Sequence, residues 1–200
     1  MKMKAEEHEL QAELILSHIV KRSSIFPNSF LPTPIEPALL QKLMEVANTA
    51  PTHRLTQPWR FKIVTGAGLK RLSGWMGDKY LEMTPPSSFS IKKHEKTKQK
   101  PIKSGAVILI CMQRDPQESL PEWEEIAAVA CAVQNFWLAA GALGLGGYWS
   151  SPKMIESISS FTPLAEGERC LGLFYLGYHN QMDLPKKRTP STEKVKWINS

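Results

Sequence analysis

Hydrophobic positions along the chain predict helices alternating with short strands. Leu10, Leu14 and Ile19 recur at the spacing of one helical face. A second apolar repeat begins at Pro37, and proline is favoured in the first turn of a helix. A third segment, 69–81, is more polar but keeps the helical spacing of its apolar residues. The pattern therefore predicts helices over 6–22, 37–47 and 69–81.

Continuous apolar runs predict the strands. Residues 106–112 are apolar and rich in β-branched side chains, which is typical of a buried central strand. Residues 61–65 and 171–178 are shorter strands, and 143–150 leaves a helix as a strand or a loop. No internal repeat or linker divides the 200 residues, so we expect one domain over 1–200.

The segment from Ile126 to Leu145 predicts a long helix that is apolar on nearly every side. A membrane span is rejected because the segment is rich in alanine, carries Gln134 and Asn135 in its middle, and has no basic cluster beside it. Such a helix must be surrounded by protein. A second protomer would cover it most easily, so we expect a homodimer.

Charge and cysteine usage limit the class of protein. The net charge is +6, and six lysines fall between Lys92 and Lys103. We interpret this run as a solvated, mobile face; steering of an anionic dinucleotide is the alternative, and nucleic acid is excluded because no aromatic residues are interleaved.

The N-terminus lacks the apolar segment of a secretory signal peptide. Three scattered cysteines, interpreted as small buried residues without metal spacing, indicate a cytoplasmic protein: Cys111, Cys131 and Cys170.

Two segments carry candidate chemistry. The loop from Ala50 to Phe61 contains His53, Gln57 and Trp59 between two prolines, so it is either a rigid binding loop or a proline-rich connector with a buried tryptophan. Lys21-Arg22-Ser23-Ser24 can surround a phosphate with charged and neutral donors, or it can simply complement the end of a helix. The sequence shows no nucleophile elbow, zinc motif or P-loop, which suits an enzyme whose cofactor carries the reaction.

These segments together resemble the FMN-dependent nitroreductase family. The order Arg22-Ser23-Ser24, Ala50-Pro51-Thr52-His53 and Gln57-Pro58-Trp59 is similar to its short single-domain subgroup, and the resemblance continues through Gly146-Gly147-Tyr148-Trp149 and Arg188. It implies an α+β fold, with a central mixed or antiparallel sheet flanked by helices, in an intertwined homodimer.

The resemblance also implies a site and a reaction. FMN would be bound without a covalent bond, NADH or NADPH would supply hydride, and a small-molecule acceptor such as a nitroaromatic or quinone would receive it in a ping-pong cycle. No side chain would be a catalytic nucleophile, and no metal, nucleic acid or membrane would take part. The implied cofactor-binding residues are Arg22, Ser23, Ser24, His53, Gln57, Tyr148, Trp149, Ser150 and Arg188.

One departure from the family leaves the function open. The family usually has a basic residue shortly after the first serines, where this chain has Ile25-Phe26-Pro27-Asn28. The group that stabilises reduced flavin is therefore undetermined by the sequence. An FMN-binding sensor without turnover and a specialised flavoenzyme, such as a dehalogenase or a flavin-cleaving enzyme, stay as alternatives.

Overall fold

The computed structural model describes residues 2–181 and 186–199, with side chains from Glu6 onward; Met1, 182–185 and Ser200 lie outside the described residues. The helices are α1 Lys2–Lys21, α2 Pro37–Ala47, α3 Ala67–Met83, α4 Ile91–Ile102 and α5 Glu122–Ala142. The strands are β1 Trp59–Val64, β2 Ala106–Gln113, β3 Leu145–Ser150 and β4 Glu168–Tyr178. Short 3-10 turns cover Pro27–Ser29, His53–Leu55, Pro86–Ser88, Lys153–Ser160 and Ser191–Glu193.

The four strands form one sheet in the order β1-β2-β4-β3, and every neighbouring pair is antiparallel. The α+β expectation is confirmed, with an antiparallel rather than a mixed sheet. Side chains alternate across β2: Ile108 and Ile110 pack on one side with α2 and α5, while Val107 and Leu109 pack on the other with α3. Both faces of β2 are therefore buried, which is why its sequence is continuously apolar.

Helix α5 packs one face on the sheet and leaves the other open. Val133 and Phe136 are buried against the sheet, whereas Cys131 is exposed. The prediction that all three cysteines are buried is confirmed for Cys111, whereas Cys170 is only half-buried. It is wrong for Cys131, because that residue lies on the outer face. The helix also ends at Ala142 rather than Leu145. It is long and apolar enough to cross a membrane by length and composition, a test that core helices also pass, and 39% of its most apolar window is buried in one chain.

The lysine-rich segment is an ordered helix, so the prediction of a mobile face is wrong. Ser90 caps α4 by accepting a hydrogen bond from the Lys93 N–H, and Ser73 of α3 donates to the Lys98 carbonyl at 2.8 Å. Gly77 of α3 lets the helices approach closely, since a Cβ there would lie 2.9 Å from the Lys98 side chain. The apolar stems of the lysines thus supply contacts that the charge pattern conceals.

Candidate functional site

The end of α1 places the guanidinium of Arg22 on an aromatic platform. Nε2 of His18 lies 2.6 Å from the Leu138 carbonyl, which fixes α1 against α5. Gly141 leaves room for this contact, because a Cβ there would lie 3.3 Å from the His18 ring. One residue beyond α1, the guanidinium carbon of Arg22 lies 4.4 Å from the centroid of the Trp137 ring. One face of the guanidinium therefore packs on the Trp137 ring, and the N–H groups at the edge of the guanidinium stay available to a ligand.

A cavity of about 310 Å³ opens beside this guanidinium. The chain after Arg22 runs along β3, where the Ile25 N–H donates to the Gly147 carbonyl at 3.1 Å. A Cβ on Gly146 would lie 2.6 Å from the His179 ring and 2.7 Å from Ile25, so this close approach requires glycine. The cavity is lined by His18, Lys21, Arg22, Ser23, Ile25, Trp137, Gly141, Gly144, Leu145, Gly146 and His179.

Two cations, Lys21 and Arg22, line this cavity, and no acidic residue is part of the described lining. Burial, and then the nearby charge of Arg188, lower the pKa of Arg22 from its ordinary value. Arg188 is exposed, and the segment that carries it returns to the end of α1, where Lys186 donates to the Val20 carbonyl. Within the described residues, no carboxylate forms an ion pair with Arg22. Two guanidiniums brought together in this way favour an anion between them.

His53 and Gln57 lie in a strained loop at the other end of α5. Arg54, Leu55 and Gln57 have φ of 50°, 55° and 42°, which costs an L residue on the order of 1 kcal/mol or more. The Gln57 N–H donates to Thr52 Oγ1 at 3.1 Å, and Nδ1 of His53 lies 2.7 Å from Oε2 of Glu124. These contacts hold the loop, and with it an exposed imidazole, over the start of α5.

The tryptophan of the same loop acts as its anchor. Trp59 is buried, and its Nε1 donates to Oδ1 of Asn48 at 3.0 Å. Both readings of the loop are therefore partly right: Trp59 is a core residue, while His53 and Gln57 remain at the surface.

The two groups of expected site residues are far apart in one chain. Glu124, beside His53, and Trp137, beneath Arg22, are separated by 13 positions of α5, or about 20 Å along its axis. Arg22, Ser23 and Ser24 run toward β3, where Ser24 forms a parallel bridge with Gly147, and the charge of Arg188 acts on Arg22. His53 and Gln57 do not join them within the chain.

The three expected residues of β3 take part mostly in packing. The Tyr148 ring stacks on Tyr175 with centroids 5.2 Å apart and lies 4.7 Å from Phe26. Nε1 of Trp149 donates to the Leu171 carbonyl at 3.3 Å. Ser150 is half-buried at the end of the strand. Their side chains are thus engaged by the protein, and Tyr148 is buried.

Lys100 is a cation that the sequence reasoning missed. Its Nζ lies 5.9 Å from the centroids of both Tyr148 and Tyr175, and burial lowers the pKa of Lys100. Nothing in the lysine run distinguishes it from its neighbours, so only the fold could reveal it. Trp137 was missed as well, because the sequence does not show which of the adjacent aromatic residues Phe136 and Trp137 faces the end of α1.

Known proteins resemble this chain in both sequence and fold. The model of the Nitroreductase family matches residues 19–178. The Escherichia coli protein named "Putative NAD(P)H nitroreductase YdjA" is 29% identical over 141 residues, covering 69% of this chain and 74% of its own. A nitroreductase-like family protein from Bacillus cereus superposes with a TM-score of 0.77 at 28% identity, covering 93% of this chain and 96% of that one.

A more distant structure shares the fold. The FMN-dependent nitroreductase NfnB of Mycobacterium smegmatis, solved in complex with NADPH, superposes with a TM-score of 0.75 at 14% identity, covering 94% of this chain and 100% of that one. The family match spans the end of α1, the loop of His53, α5 and the whole sheet. This chain belongs to the Nitroreductase family.

Proposed function

We propose that this protein is an FMN-dependent NAD(P)H oxidoreductase. It would reduce nitroaromatics, quinones or similar small acceptors by two electrons in a ping-pong cycle, as a cytoplasmic homodimer. One observation carries the proposal: Arg22 lines a cavity with three glycines, Arg188 lies near enough to add its positive charge, and no carboxylate of the described residues forms an ion pair with Arg22. NfnB is FMN-dependent and its structure is a complex with NADPH, which supports the choice of cofactors.

The chemistry of the donor set fits the phosphate of FMN. A phosphate monoester carries about −1.5 to −2 charges at pH 7 and accepts several charge-assisted hydrogen bonds. Arg22 offers guanidinium N–H groups, Ser23 a hydroxyl, and Arg188 a second cation beside them. Gly146 of β3 lets Ile25 and His179 pack closely against the strand beside the cavity. These residues would hold the phosphate and ribityl end of the cofactor.

FMN, when bound, supplies hydride acceptance from NAD(P)H and two-electron delivery to the acceptor. The chain's own residues position the partners and set the local charge. Lys100 is half-buried beside Tyr148, so its ammonium acts through a poorly solvated medium. We assign to Lys100 the task of balancing negative charge on the reduced cofactor, in place of the basic residue missing at Ile25–Asn28.

The separation of the two residue groups supports a site shared between protomers. α1 exposes a stripe of large apolar side chains, and the outer face of α5 is open beside it. An exposed apolar surface of this extent marks an interface. A two-fold partner would cover it and could bring one chain's His53 and Gln57 to the Arg22 of the other. The exposed residues of the α1 stripe are Leu10, Leu14, Ile15, Leu16, Ile19 and Val20.

A subunit-mixing experiment tests the shared site. One chain carries Arg22→Ala, a second carries His53→Ala with Gln57→Ala, and each bears a different affinity tag so that the mixed dimer can be isolated. If each site uses both chains, the mixed dimer has one unaltered site and one fully altered site. It should bind about half of the FMN of the unmodified dimer and show about half of its NADPH oxidation.

A site contained within one chain predicts a different result. If each site lies within one chain, no site in the mixed dimer is unaltered, and its activity will not exceed the mean of the two parent dimers. A mixture of two differently tagged Arg22→Ala chains is the matched control. Protein that stays colourless in micromolar FMN would overturn the cofactor itself, and tight FMN binding without NADPH oxidation would favour a sensor.

A further inference from the structure

Two cysteines lie opposite each other in the centre of the sheet. Cys111 of β2 is the antiparallel partner of Cys170 of β4, at the point where the register shifts between Ile110 and Cys111. Cys111 is fully buried, while Cys170 is partly exposed. Neither belongs to the cofactor site described above.

The hydrogen-bond pattern brings these two side chains close. The Arg114 N–H donates to the Gly167 carbonyl at 3.0 Å, which marks that pair as hydrogen-bonded. Hydrogen-bonded and non-hydrogen-bonded pairs alternate along an antiparallel ladder. Cys111 and Cys170 lie three pairs before Arg114 and Gly167, so they form a non-hydrogen-bonded pair. Directly opposed Cα atoms at such a position are about 4.5 Å apart, with side chains on the same face. This lies within the range of about 4.4–6.8 Å that a disulfide spans.

We propose that Cys111 and Cys170 form a peroxide-oxidisable dithiol, with Cys170 as the attacking thiol and Cys111 as the resolving one. Cys170 is suited to attack because it is the partner that solvent reaches. The Cys111 thiol also donates a hydrogen bond to its sulfur, which lowers the pKa of Cys170. Donating that bond, together with burial, raises the pKa of Cys111.

The reaction balances with hydrogen peroxide as the oxidant. The Cys170 thiolate attacks one peroxide oxygen, the O–O bond breaks, and the hydroxide released takes a proton to become water. Cys111 sulfur then attacks the sulfenic sulfur, the S–O bond breaks, and the oxygen leaves with two protons as a second water. Two thiols and one peroxide thus give one disulfide and two waters.

Peptide mapping of oxidised protein tests the proposal directly. The full-length protein is treated with a few equivalents of hydrogen peroxide, alkylated, and digested with trypsin without reduction. The expected product joins peptide 104–114 to peptide 170–186, with the mass of two hydrogens lost, and disappears after dithiothreitol treatment. Cys131 falls in a separate peptide, 115–153, which serves as an internal control.

Variants assign the two roles. In a Cys131→Ser background, peroxide should remove both remaining thiols. Cys170→Ala should slow thiol loss at least tenfold, whereas Cys111→Ala should leave a sulfenic acid at Cys170 that dimedone traps. Equal rates of thiol loss in the two variants, or oxidation confined to Cys131, would overturn the proposal. The peptide map needs no substitution, so it decides the matter even if the buried Cys111→Ala variant folds poorly.

Discussion

Replacing Arg22 by alanine should weaken FMN far more than riboflavin. The Trp137 ring occupies one face of the guanidinium, so the N–H edges are available to a phosphate, which riboflavin lacks. Loss of a charge-assisted hydrogen bond costs about 1.5–3 kcal/mol. Removing Arg22 also relieves its repulsion of Arg188 in the empty protein, which offsets part of the loss. We therefore expect Arg22→Ala to lose about 2 kcal/mol of FMN binding free energy, which raises the Kd for FMN roughly 30-fold.

Flavin fluorescence titrations measure both affinities under the same conditions. Riboflavin affinity should change by less than about threefold, since the lost contact is assigned to the phosphate. Arg22→Lys keeps the charge but loses the planar fork, so its FMN affinity should fall between the parent and the alanine variant. Arg71→Ala, an exposed arginine on α3, is the matched control. An equal loss for both flavins would show that Arg22 does not bind the phosphate.

Three further predictions concern the scaffold. Glu125 is buried and paired with Arg114, so Glu125→Ala should lower the unfolding free energy by about 3 kcal/mol in urea titrations. Burial raises the pKa of Glu168, but hydrogen bonds from Lys62 and a backbone N–H outweigh it and the pKa is lowered; Lys62→Met should therefore destabilise the protein more at pH 7 than at pH 3. Gly147→Ala would place a Cβ 2.4 Å from the β4 backbone, and should cost about 1–3 kcal/mol of stability and weaken FMN.

The sign of the pH effect follows from the direction of the shift. A carboxylate with a lowered folded pKa stabilises the fold fully above its unfolded pKa, about 4.3 for glutamate, and this contribution is lost as the pH falls through the folded value. A stability difference between the parent and Lys62→Met that is constant from pH 7 to pH 3 would contradict the pairing of Lys62 with Glu168. Unchanged urea midpoints for Glu125→Ala or Gly147→Ala would likewise contradict the packing described for those residues.

The sequence predicted those elements whose own pattern is strong. Helix α2 runs over 37–47 as expected because an apolar repeat and a proline in the first turn agree. The central strand 106–112 is confirmed within one residue because both its faces are buried. Helix α4 could not be predicted, since its order comes from the approach of Gly77 to the Lys98 stem and from the hydrogen bond of Ser73 to the Lys98 carbonyl rather than from any apolar period.

In the candidate site, too, the sequence predicted some residues, while others became visible only in the folded structure. Arg22 and Ser23 were predicted because charge and hydroxyls adjacent in sequence are also adjacent in space. Lys100 was not, because it reaches Tyr148 only through the packing of α4 on α3. Cys131 was expected inside because α5 is apolar all round, yet one chain covers only one face of that helix.

The backbone bridge between Ser24 and Gly147 has a consequence for synthesis on the ribosome. The segment 22–24, to which we assign phosphate binding, leaves the ribosome early, but Gly147, with which Ser24 pairs, lies 123 positions later. At about 5–20 residues per second, the delay is roughly 6–25 s. During this interval α1 has neither its aromatic platform nor its place beside β3, so a nascent chain cannot capture cofactor. Flavin uptake should therefore report completion of the whole domain.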